Sequence, residues 1–215
     1  MQKKKALDVK VYFESLTIKK QLQRRDMSYF PAYMKMDDKN IIIIGAGNIA
    51  YEKLTRLLDF TPNITILSEH ISKQVEEVSK NRDLKLIKKR YKEGDIDSFD
   101  IVIVAVDDIG LQKKIYSEAK QKHILCNSVD SVEYCDFIFP SYIKKGDLIV
   151  SVSTSGASPS VAKYLRRYIE KAIPNDMDKF IKKMKQLRKS MPKGRLRMKF
   201  LDEMVKRYFK DRSKS

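Results

Sequence analysis

Two glycines and an alanine, spaced as Gly45-x-Gly47-x-x-Ala50, directly follow four consecutive isoleucines. In this spacing the first glycine permits a tight turn, the second lets the backbone approach a pyrophosphate, and the alanine lets a following helix pack closely on the strand. The free N–H groups at the start of that helix, including those of Asn48 and Ile49, would bind the anion. The pattern predicts a dinucleotide-binding site, and an ordinary tight strand-to-helix turn is the alternative.

A second polar position follows the next apolar run. That run ends at Leu67, and Ser68 and Glu69 come next, about twenty residues past the glycine turn, where a polar or acidic group can bind the adenosine ribose. A 2′-phosphate requires an arginine nearby. Because the closest basic residue along the chain is Lys73, inside the next helix, the sequence favours NAD over NADP. The alternative for Ser68 is that it caps that helix.

Polar residues also follow two later apolar runs, in the segments 105–108 and 126–130. Ligands of open α/β sheets lie outside the carboxyl ends of the strands, so Val106 and Asp107 could contact the nicotinamide side of a cofactor. Asp130 stands where a general base or a charge-stabilising carboxylate would act. The alternatives are that the two aspartates of the first segment cap the next helix and that Asp130 is a turn residue.

The elements that must position these residues alternate between strands and helices from Asn40 onward. Strands are predicted at 41–44, 64–67, 84–87, 101–106 and 124–126, and helices at 50–60, 71–80 and 109–120. Such alternation predicts a parallel, doubly wound sheet. The run 101–106 is apolar throughout, as expected of a strand that is buried on both faces.

The pattern changes beyond Asp130, where a hairpin and then helices are predicted. The hairpin strands are predicted at 137–140 and 148–153, and this hairpin need not join the parallel sheet. Ser158 suits an N-cap and Pro159 the first helical position of the next helix, which ends at Pro174. Two further amphipathic segments follow, and they predict a small helical hairpin over 176–190 and 195–210.

Composition excludes several classes of protein. A hydrophobic content of 42% over 215 residues is enough for a real core. No apolar run approaches about 18 residues, so neither a membrane-spanning helix nor a secretory signal is predicted. The two cysteines, Cys126 and Cys135, make no disulfide framework, and the absence of a C-x-x-C pair argues against a metal cluster. We therefore expect a cytoplasmic protein without a structural metal.

The net charge of +17 is distributed unevenly. Residues 1–26 carry eight Lys and Arg against three acids, and residues 174–215 carry fifteen against five, whereas the middle of the chain is nearly neutral. Basic ends of this kind attract nucleic acid, a membrane surface or a polyanionic small molecule. Solvated helix faces are the alternative interpretation.

Five segments together resemble the siroheme synthase N-terminal family, whose members are precorrin-2 dehydrogenases and in some cases also sirohydrochlorin ferrochelatases. The segments are residues 44–53, 105–108, 126–130, 137–141 and 152–159. The resemblance covers about residues 29–172, and Phe30-Pro31 fits the opening strand of the family.

The resemblance implies an α/β fold, in which a Rossmann-type parallel sheet is followed by a dimerisation region and a small helical C-terminal domain. The predicted divisions are 1–26 as an extension of unknown role, 27–136 as the NAD-binding domain, 137–173 as the dimerisation and substrate-cavity region, and 174–215 as the helical domain. It also implies a homodimer.

The implied activity is the NAD-dependent oxidation of precorrin-2 to sirohydrochlorin, with ferrous iron as a further substrate in bifunctional members. The family's key catalytic carboxylate corresponds to Asp130, and Asn127 lies in the same motif. Ser153, Thr154 and Ser155 match a serine-rich loop near the substrate, although Thr154 and Ser155 depart from the family pattern. A polycarboxylate substrate accounts for part of the positive charge, that of the C-terminal segment, so neither nucleic acid nor membrane is expected as a partner, and a solvated face is the alternative.

Two other functions compete with this interpretation. One is a non-enzymatic NAD-binding redox regulator, which would need a helix-turn-helix with a recognition helix, and the basic tail shows no clear example. The other is a ligand-gating module of a potassium transport system. Glu69 partly meets its requirement for an acid after the second strand, but that class does not account for the segments 126–130 and 152–159.

Overall fold

The computed structural model describes residues 29–129, 131–210 and 212. The chain divides into two compact units, of which the first ends at Ile138 and the second begins at Phe139. The predicted extension 1–26 and the predicted catalytic residue Asp130 lie outside the described residues. The predicted boundaries at 136 and 173 remain predictions.

The first unit is built on a five-stranded, wholly parallel sheet. Its strands are β1 Ile41–Ile44, β2 Ile64–Leu67, β3 Lys85–Ile87, β4 Ile101–Val104 and β5 Leu125–Ser128. Its helices are α1 Asn48–Leu57, α2 Lys73–Asn81 and α3 Ile109–Gln121, and a 3-10 turn spans Val132–Tyr134. The strand order is β3-β2-β1-β4-β5. This order confirms the predicted Rossmann-type α/β fold.

The two central strands consist entirely of β-branched residues. All eight residues of β1 and β4 are at most 2% exposed, as expected for strands covered on both faces. Alternate residues from them pack with Ile115 and Ala119 of α3 and with Cys126 of β5 in one apolar cluster. Each large side chain buried in this way contributes about 1.5–3 kcal/mol, so the centre of the sheet is held rigidly.

The second unit combines a hairpin with three helices. Strands β6 Ser141–Lys145 and β7 Leu148–Val152 form a separate antiparallel sheet, and the helices are α4 Pro159–Ala172, α5 Met177–Ser190 and α6 Arg195–Lys210. The Ser158 hydroxyl accepts a hydrogen bond from the Val161 N–H at 3.3 Å, which confirms the predicted N-cap. The rings of Phe180 and Tyr208 stack at 3.8 Å and join α5 to α6.

Three predicted strand positions were wrong. Residues 137–140 form no strand, because Pro140 has no N–H and the Phe137 carbonyl accepts a hydrogen bond from the Asn127 side chain instead. Strand β5 runs on through Ser128, so Asn127 lies within the strand. The segment around Phe30 and Pro31 is irregular, and Phe30 is exposed rather than paired. None of the helices in the described ranges has both the length and the hydrophobicity needed to cross a bilayer.

Candidate functional site

The five parallel strands end together at one edge of the sheet. Their last residues stand in register as Ile87, Leu67, Ile44, Val104 and Ser128. The backbone ladder continues one residue further, with Ala105 N–H donating to the Ile44 carbonyl at 2.8 Å and Val129 N–H to the Val104 carbonyl at 2.9 Å. Every segment that follows a strand therefore emerges at the same edge, and the strand order reverses between β1 and β4.

Gly45 is required at the turn for two separate reasons. Its φ is +104°, a conformation that side chains disfavour, and a Cβ at this position would lie 2.1 Å from the Ala105 carbonyl oxygen. The Gly45 N–H donates to the Leu67 carbonyl at 2.9 Å. The predicted tight turn is confirmed, and the structure adds a close approach to the end of β4.

The start of α1 is open to an anion. Gly47 is the N-cap and supplies no side-chain cap, and no atom lies within 4 Å of the place where its Cβ would stand. Gly47, Asn48 and Ile49 are exposed, whereas Ala50 is buried against the sheet. The first N–H groups of a helix lack intrahelical partners, so the exposed start of α1 at residues 47–49, which we call the glycine cradle, fits a phosphate group.

The loop after β2 is tied to the glycine turn. The Ser72 N–H donates to the Ala46 carbonyl at 3.1 Å, and the Ser68 N–H donates to the Ile87 carbonyl at 3.1 Å. Ser72 accepts a hydrogen bond from Val75 N–H and caps α2, whereas the Ser68 hydroxyl donates to the His70 carbonyl at 2.7 Å. Ser68 therefore does not cap the helix, and its loop is held beside the predicted pyrophosphate cradle.

Glu69 in this loop has an arginine partner that the sequence did not reveal. The Arg90 Nε lies 2.6 Å from the Glu69 carboxylate, and this hydrogen bond lowers the pKa of Glu69. Lys73 is the closest basic residue along the chain, but Arg90 is the one that contacts Glu69, because β3 pairs in parallel with β2 and delivers residues 88–90 to the same edge. Parallel pairing of the two predicted strands was the signal that could have identified Arg90.

The segment after β4 is fixed by a buried glutamine. Gln112 of α3 is 3% exposed, donates to the Val106 carbonyl at 2.7 Å and accepts from the Ser128 hydroxyl at 3.0 Å. Asp108 accepts from Leu111 N–H at 3.0 Å, which confirms that it caps the helix, and Asp107 is exposed at the edge of the sheet. Gln112, which was not identified from sequence, joins the ends of β4 and β5.

Asn127 lies inside the first unit. It is 4% exposed, and its Nδ2 donates to the Phe137 carbonyl at 2.8 Å and contacts the Cys135 sulfur at 3.4 Å. Its Oδ1 is buried without a hydrogen-bond partner among the described residues. The predicted role of Asn127 in substrate binding remains a prediction, and the structure adds an anchoring role for its amide nitrogen.

Further bonds anchor the chain on both sides of position 130. The Asp136 carboxylate accepts from Lys120 Nζ at 2.7 Å and from the Cys126 N–H at 3.0 Å. The Cys135 thiol donates to the Ser128 carbonyl at 3.1 Å. Burial raises the pKa of the Cys126 thiol to about 12 and also raises that of Cys135, so both thiols are protonated and serve as packing groups.

The predicted serine-rich loop belongs to the second unit. Ser155 has a φ of +52°, and its N–H donates to the Ser153 hydroxyl at 3.0 Å. The Thr154 hydroxyl accepts from Ser158 N–H and donates to the Ser158 carbonyl, each at 3.0 Å. The loop is thus a closed turn at the start of α4, with the Ser153 and Ser155 side chains exposed.

No group of three or more His, Cys, Asp or Glu side chains suited to a metal ion occurs in the described part of the chain. The groups gathered at the edge of the sheet are instead backbone N–H donors, hydroxyls and carboxylate acceptors. These groups suit an organic ligand that carries phosphates and sugar hydroxyls.

Residues 32–141, about half of the chain, match the family model described as putative NAD(P)-binding. The chain belongs to this family. Membership agrees with the glycine turn at Gly45 and Gly47 and with the register of the strand ends.

Several curated relatives share more than this NAD(P)-binding region. Siroheme synthase of Methylococcus capsulatus is 31% identical over 187 residues, which are 87% of this chain and 38% of the relative. Siroheme synthase 2 of Pectobacterium atrosepticum is 30% identical over 183 residues, which are 85% of this chain and 39% of the relative. The chain thus spans less than two fifths of the length of these relatives.

A solved structure shares the fold of this NAD(P)-binding chain. It is SirC, a precorrin-2 dehydrogenase, which superposes with a TM-score of 0.69 at 18% identity and covers 82% of this chain and 89% of that chain. The fold is therefore shared over most of both chains.

Proposed function

We propose that this protein is a precorrin-2 dehydrogenase, which removes two hydrogen atoms from precorrin-2 to give sirohydrochlorin with NAD as the acceptor. The observation that carries the proposal is the 31% identity to a siroheme synthase over 187 residues. Because the first unit ends at residue 138, that likeness must extend into the second unit. A shared dinucleotide-binding domain alone would not produce it.

Different residues at the edge of the sheet would bind different parts of the dinucleotide. Gly45 and Gly47 keep the cradle open, and the N–H groups of Asn48 and Ile49 would bind the pyrophosphate. Ser68 and Glu69 would bind the adenosine ribose, and Val106 and Asp107 would line the nicotinamide side. When bound, NAD supplies the acceptor for a hydride.

Asp130 is the carboxylate that we propose for catalysis. Loss of a hydride builds positive charge on the tetrapyrrole, which a nearby carboxylate stabilises. The same carboxylate can accept the proton that leaves with the second hydrogen. The bonds of Cys135, Asp136 and Phe137 to residues of β5 support this proposal, because they tie the segment after position 130 to the strand before it.

The substrate is a polycarboxylate, and the positive ends of the chain would attract it. Residues 174–215 carry a net charge of +10, and such a field raises the rate of encounter with an anion. Ser153, Thr154 and Ser155 would contact the substrate from the second unit. The Thr154 hydroxyl already donates to the Ser158 carbonyl, so the exposed hydroxyls of Ser153 and Ser155 are the better donors to the substrate.

We also propose that the protein is a homodimer in which α4 lies at the interface. Four large apolar or aromatic residues form a stripe at helical spacing on α4, and their exposed fractions are 54%, 70%, 45% and 75% for Val161, Tyr164, Leu165 and Tyr168. A contiguous apolar surface of this kind marks an interface. Ala162, on a different face of the helix, is buried.

The dimer proposal is tested by sedimentation. Replacing Tyr164 and Tyr168 together with serine is expected to shift the protein toward monomer, whereas Lys163→Ser, at an exposed position on another face of α4, is expected to leave the dimer intact. A wild-type protein that sediments as a monomer at micromolar concentration would contradict the proposal.

The name of the relatives favours a second step, in which ferrous iron enters sirohydrochlorin as a substrate. Metal insertion needs a base for the two pyrrole protons, and Asp130 is the group that we propose for it. The macrocycle itself supplies the nitrogen ligands, so the step needs no cluster of metal-ligating side chains in the protein.

The proposed activity is tested by following the absorbance of enzymatically made precorrin-2 under anaerobic conditions with NAD. We expect sirohydrochlorin to form with the wild-type protein and turnover to fall at least about 100-fold in Asp130→Asn. The variant should bind NAD as the wild type does. Ferrous iron is then added to the product to test the second step. A protein that binds NAD but never converts precorrin-2 would favour the regulator function instead.

A further inference from the structure

The adenosine end of the dinucleotide site carries an acid and a base in direct contact. Leu67 of β2 pairs with Ile87 of β3, so the segments that hold Glu69 and Arg90 leave the sheet side by side. The Arg90 Nε donates to Glu69 at 2.6 Å. The loop of Glu69 is in turn tied to the glycine turn through the bond from Ser72 N–H to the Ala46 carbonyl.

The two members of this pair have opposite preferences for ligands. A carboxylate accepts hydrogen bonds from both hydroxyls of an unmodified ribose, and its charge repels a 2′-phosphate. A guanidinium binds a 2′-phosphate through charge-assisted, often bidentate hydrogen bonds. A site with Glu69 alone would exclude NADP, whereas Arg90 beside it cancels the repulsion and offers a phosphate ligand.

The pair is exposed enough to rearrange. The Glu69 side chain is 44% exposed and that of Arg90 is 81% exposed. Ion pairs in such positions are held weakly, so the guanidinium can leave the carboxylate for a phosphate at little cost. Arg90 has no other ion-pair partner among the described residues that would hold it back.

We propose that Arg90 is a specificity-determining residue, which gives this chain the capacity to bind 2′-phosphorylated dinucleotides as well as NAD. Glu69 favours the dinucleotide with an unmodified ribose, and Arg90 favours the one with a 2′-phosphate. Because the two side chains are in contact, the affinities for the two dinucleotides become similar. The inference rests on the dinucleotide site of the proposed function, but it does not depend on the tetrapyrrole substrate.

The test is equilibrium binding of NAD+ and NADP+ by calorimetry, without tetrapyrrole. The variants are Arg90→Gln and Glu69→Gln, and Arg82→Gln serves as the matched control. Arg82 caps the end of α2, just before β3 begins, so that variant removes the same charge from the opposite edge of the sheet. All four proteins are measured at low and at moderate salt.

We expect wild-type affinities for the two dinucleotides to lie within about tenfold of each other. Arg90→Gln should weaken NADP+ binding about tenfold and change NAD+ binding less than twofold. Glu69→Gln should weaken NAD+ binding and strengthen NADP+ binding. Arg82→Gln should leave the affinities for both dinucleotides unchanged. The NADP+ affinity should fall more steeply with salt in the wild type than in Arg90→Gln.

Equal losses for both dinucleotides in Arg90→Gln would overturn the inference, since Arg90 would then support the loop rather than select a ligand. Undetectable NADP+ binding by the wild type would also overturn it. In both cases NAD+ binding would leave the proposed dehydrogenase intact. If neither dinucleotide bound, the inference and the proposed function would fail together.

Discussion

At the scale of single residues, the two glycines of the turn have different physical roles. Gly45 is held at a φ of +104° against the end of β4, so Gly45→Ala forces a Cβ into the Ala105 carbonyl oxygen. We expect backbone strain alone to lower the free energy of unfolding by about 1–3 kcal/mol. Urea denaturation measures this loss.

Gly47 is the control for that substitution, because nothing lies within 4 Å of its missing Cβ. Gly47→Ala should leave the free energy of unfolding within about 0.5 kcal/mol of the wild type. It should nevertheless weaken NAD binding, since the methyl group would stand where the pyrophosphate approaches. Equal stability losses in the two variants would contradict this division of roles.

The thiols offer a second test at the residue scale. Since the thiolate is the reactive form, the raised pKa of Cys126 and the burial of its side chain predict that iodoacetamide does not label it in the folded protein. Cys135, whose pKa is also raised by burial, should react slowly. Mass spectrometry before and after denaturation counts the labels, and rapid native labelling of Cys126 would show that β5 opens readily.

At the scale of elements, helix α3 is attached to the loop before β4 through one buried carboxylate. Glu118 accepts from the Tyr91 hydroxyl, from Gly94 N–H at 2.8 Å and from Lys122 Nζ at 2.9 Å, and its side chain is 5% exposed. Burial on its own would raise the pKa of Glu118, but these hydrogen bonds outweigh it and lower the pKa. The carboxylate therefore stabilises the folded chain only in its charged form.

The lowered pKa fixes the sign of the pH dependence. The stabilisation is fully present above the unfolded glutamate pKa of about 4.3 and is lost as the pH falls through the lower folded value. Glu118→Gln should cost about 1–3 kcal/mol at neutral pH, and the difference from wild type should shrink in acid. Urea denaturation at neutral and at acidic pH measures this difference in the free energy of unfolding, and Glu77→Gln, at an exposed position, is the control. A difference that stays constant with pH would contradict the assignment.

The segment after position 130 depends on Asp136, which accepts from a lysine and from a backbone N–H. Asp136→Ala should release this segment and lower kcat by up to about 100-fold, while the Kd for NAD stays within about twofold. Asp100→Ala is the matched control, because Asp100 also accepts from a lysine, Lys39, and from a backbone N–H, that of Asn40, but at the opposite edge of the sheet. Equal kcat values in the two variants would contradict an anchoring role.

Periodicity and glycine spacing were sufficient to predict most of the elements of the parallel sheet and the helices. The isoleucines of β1 and the valines of β4 follow from burial on both faces, and the cap at Ser158 follows from local chemistry. The strand predicted over 137–140 was wrong, because its apolar residues suited a strand but the Phe137 carbonyl accepts its hydrogen bond from the Asn127 side chain and Pro140 has no N–H. The hydrogen bond from Asn127 is a tertiary contact, and the local sequence pattern of 137–140 carries no sign of it.

Local geometry was predicted where one segment carried the signal, and contacts were missed where two segments meet. The cradle at Gly45 and Gly47 was read directly from the spacing. Arg90 and Gln112 were missed because the first reaches its partner through strand register and the second through the packing of α3. Predicting them requires the strand order, which is a property of the whole sheet.

At the scale of the whole molecule, the proposed enzyme combines a neutral dinucleotide-binding unit with a basic second unit. The helices α5 and α6 meet through stacked Phe180 and Tyr208, and the hydroxyl of Tyr208 donates to Asp176 at 2.9 Å. A positive field at that end suits the capture of a polycarboxylate, so we expect the KM for precorrin-2 to rise with salt more than the KM for NAD. Steady-state kinetics over a range of ionic strength compare the two values.

The most direct test of the central claim is the amount of NADH formed per sirohydrochlorin produced. Purified protein is mixed anaerobically with precorrin-2 and NAD, and both products are quantified by absorbance after complete conversion. We predict equimolar NADH and sirohydrochlorin, since loss of two hydrogen atoms transfers one hydride and releases one proton. Sirohydrochlorin that forms without NADH, or precorrin-2 that remains unconverted by a protein saturated with NAD, would contradict the account.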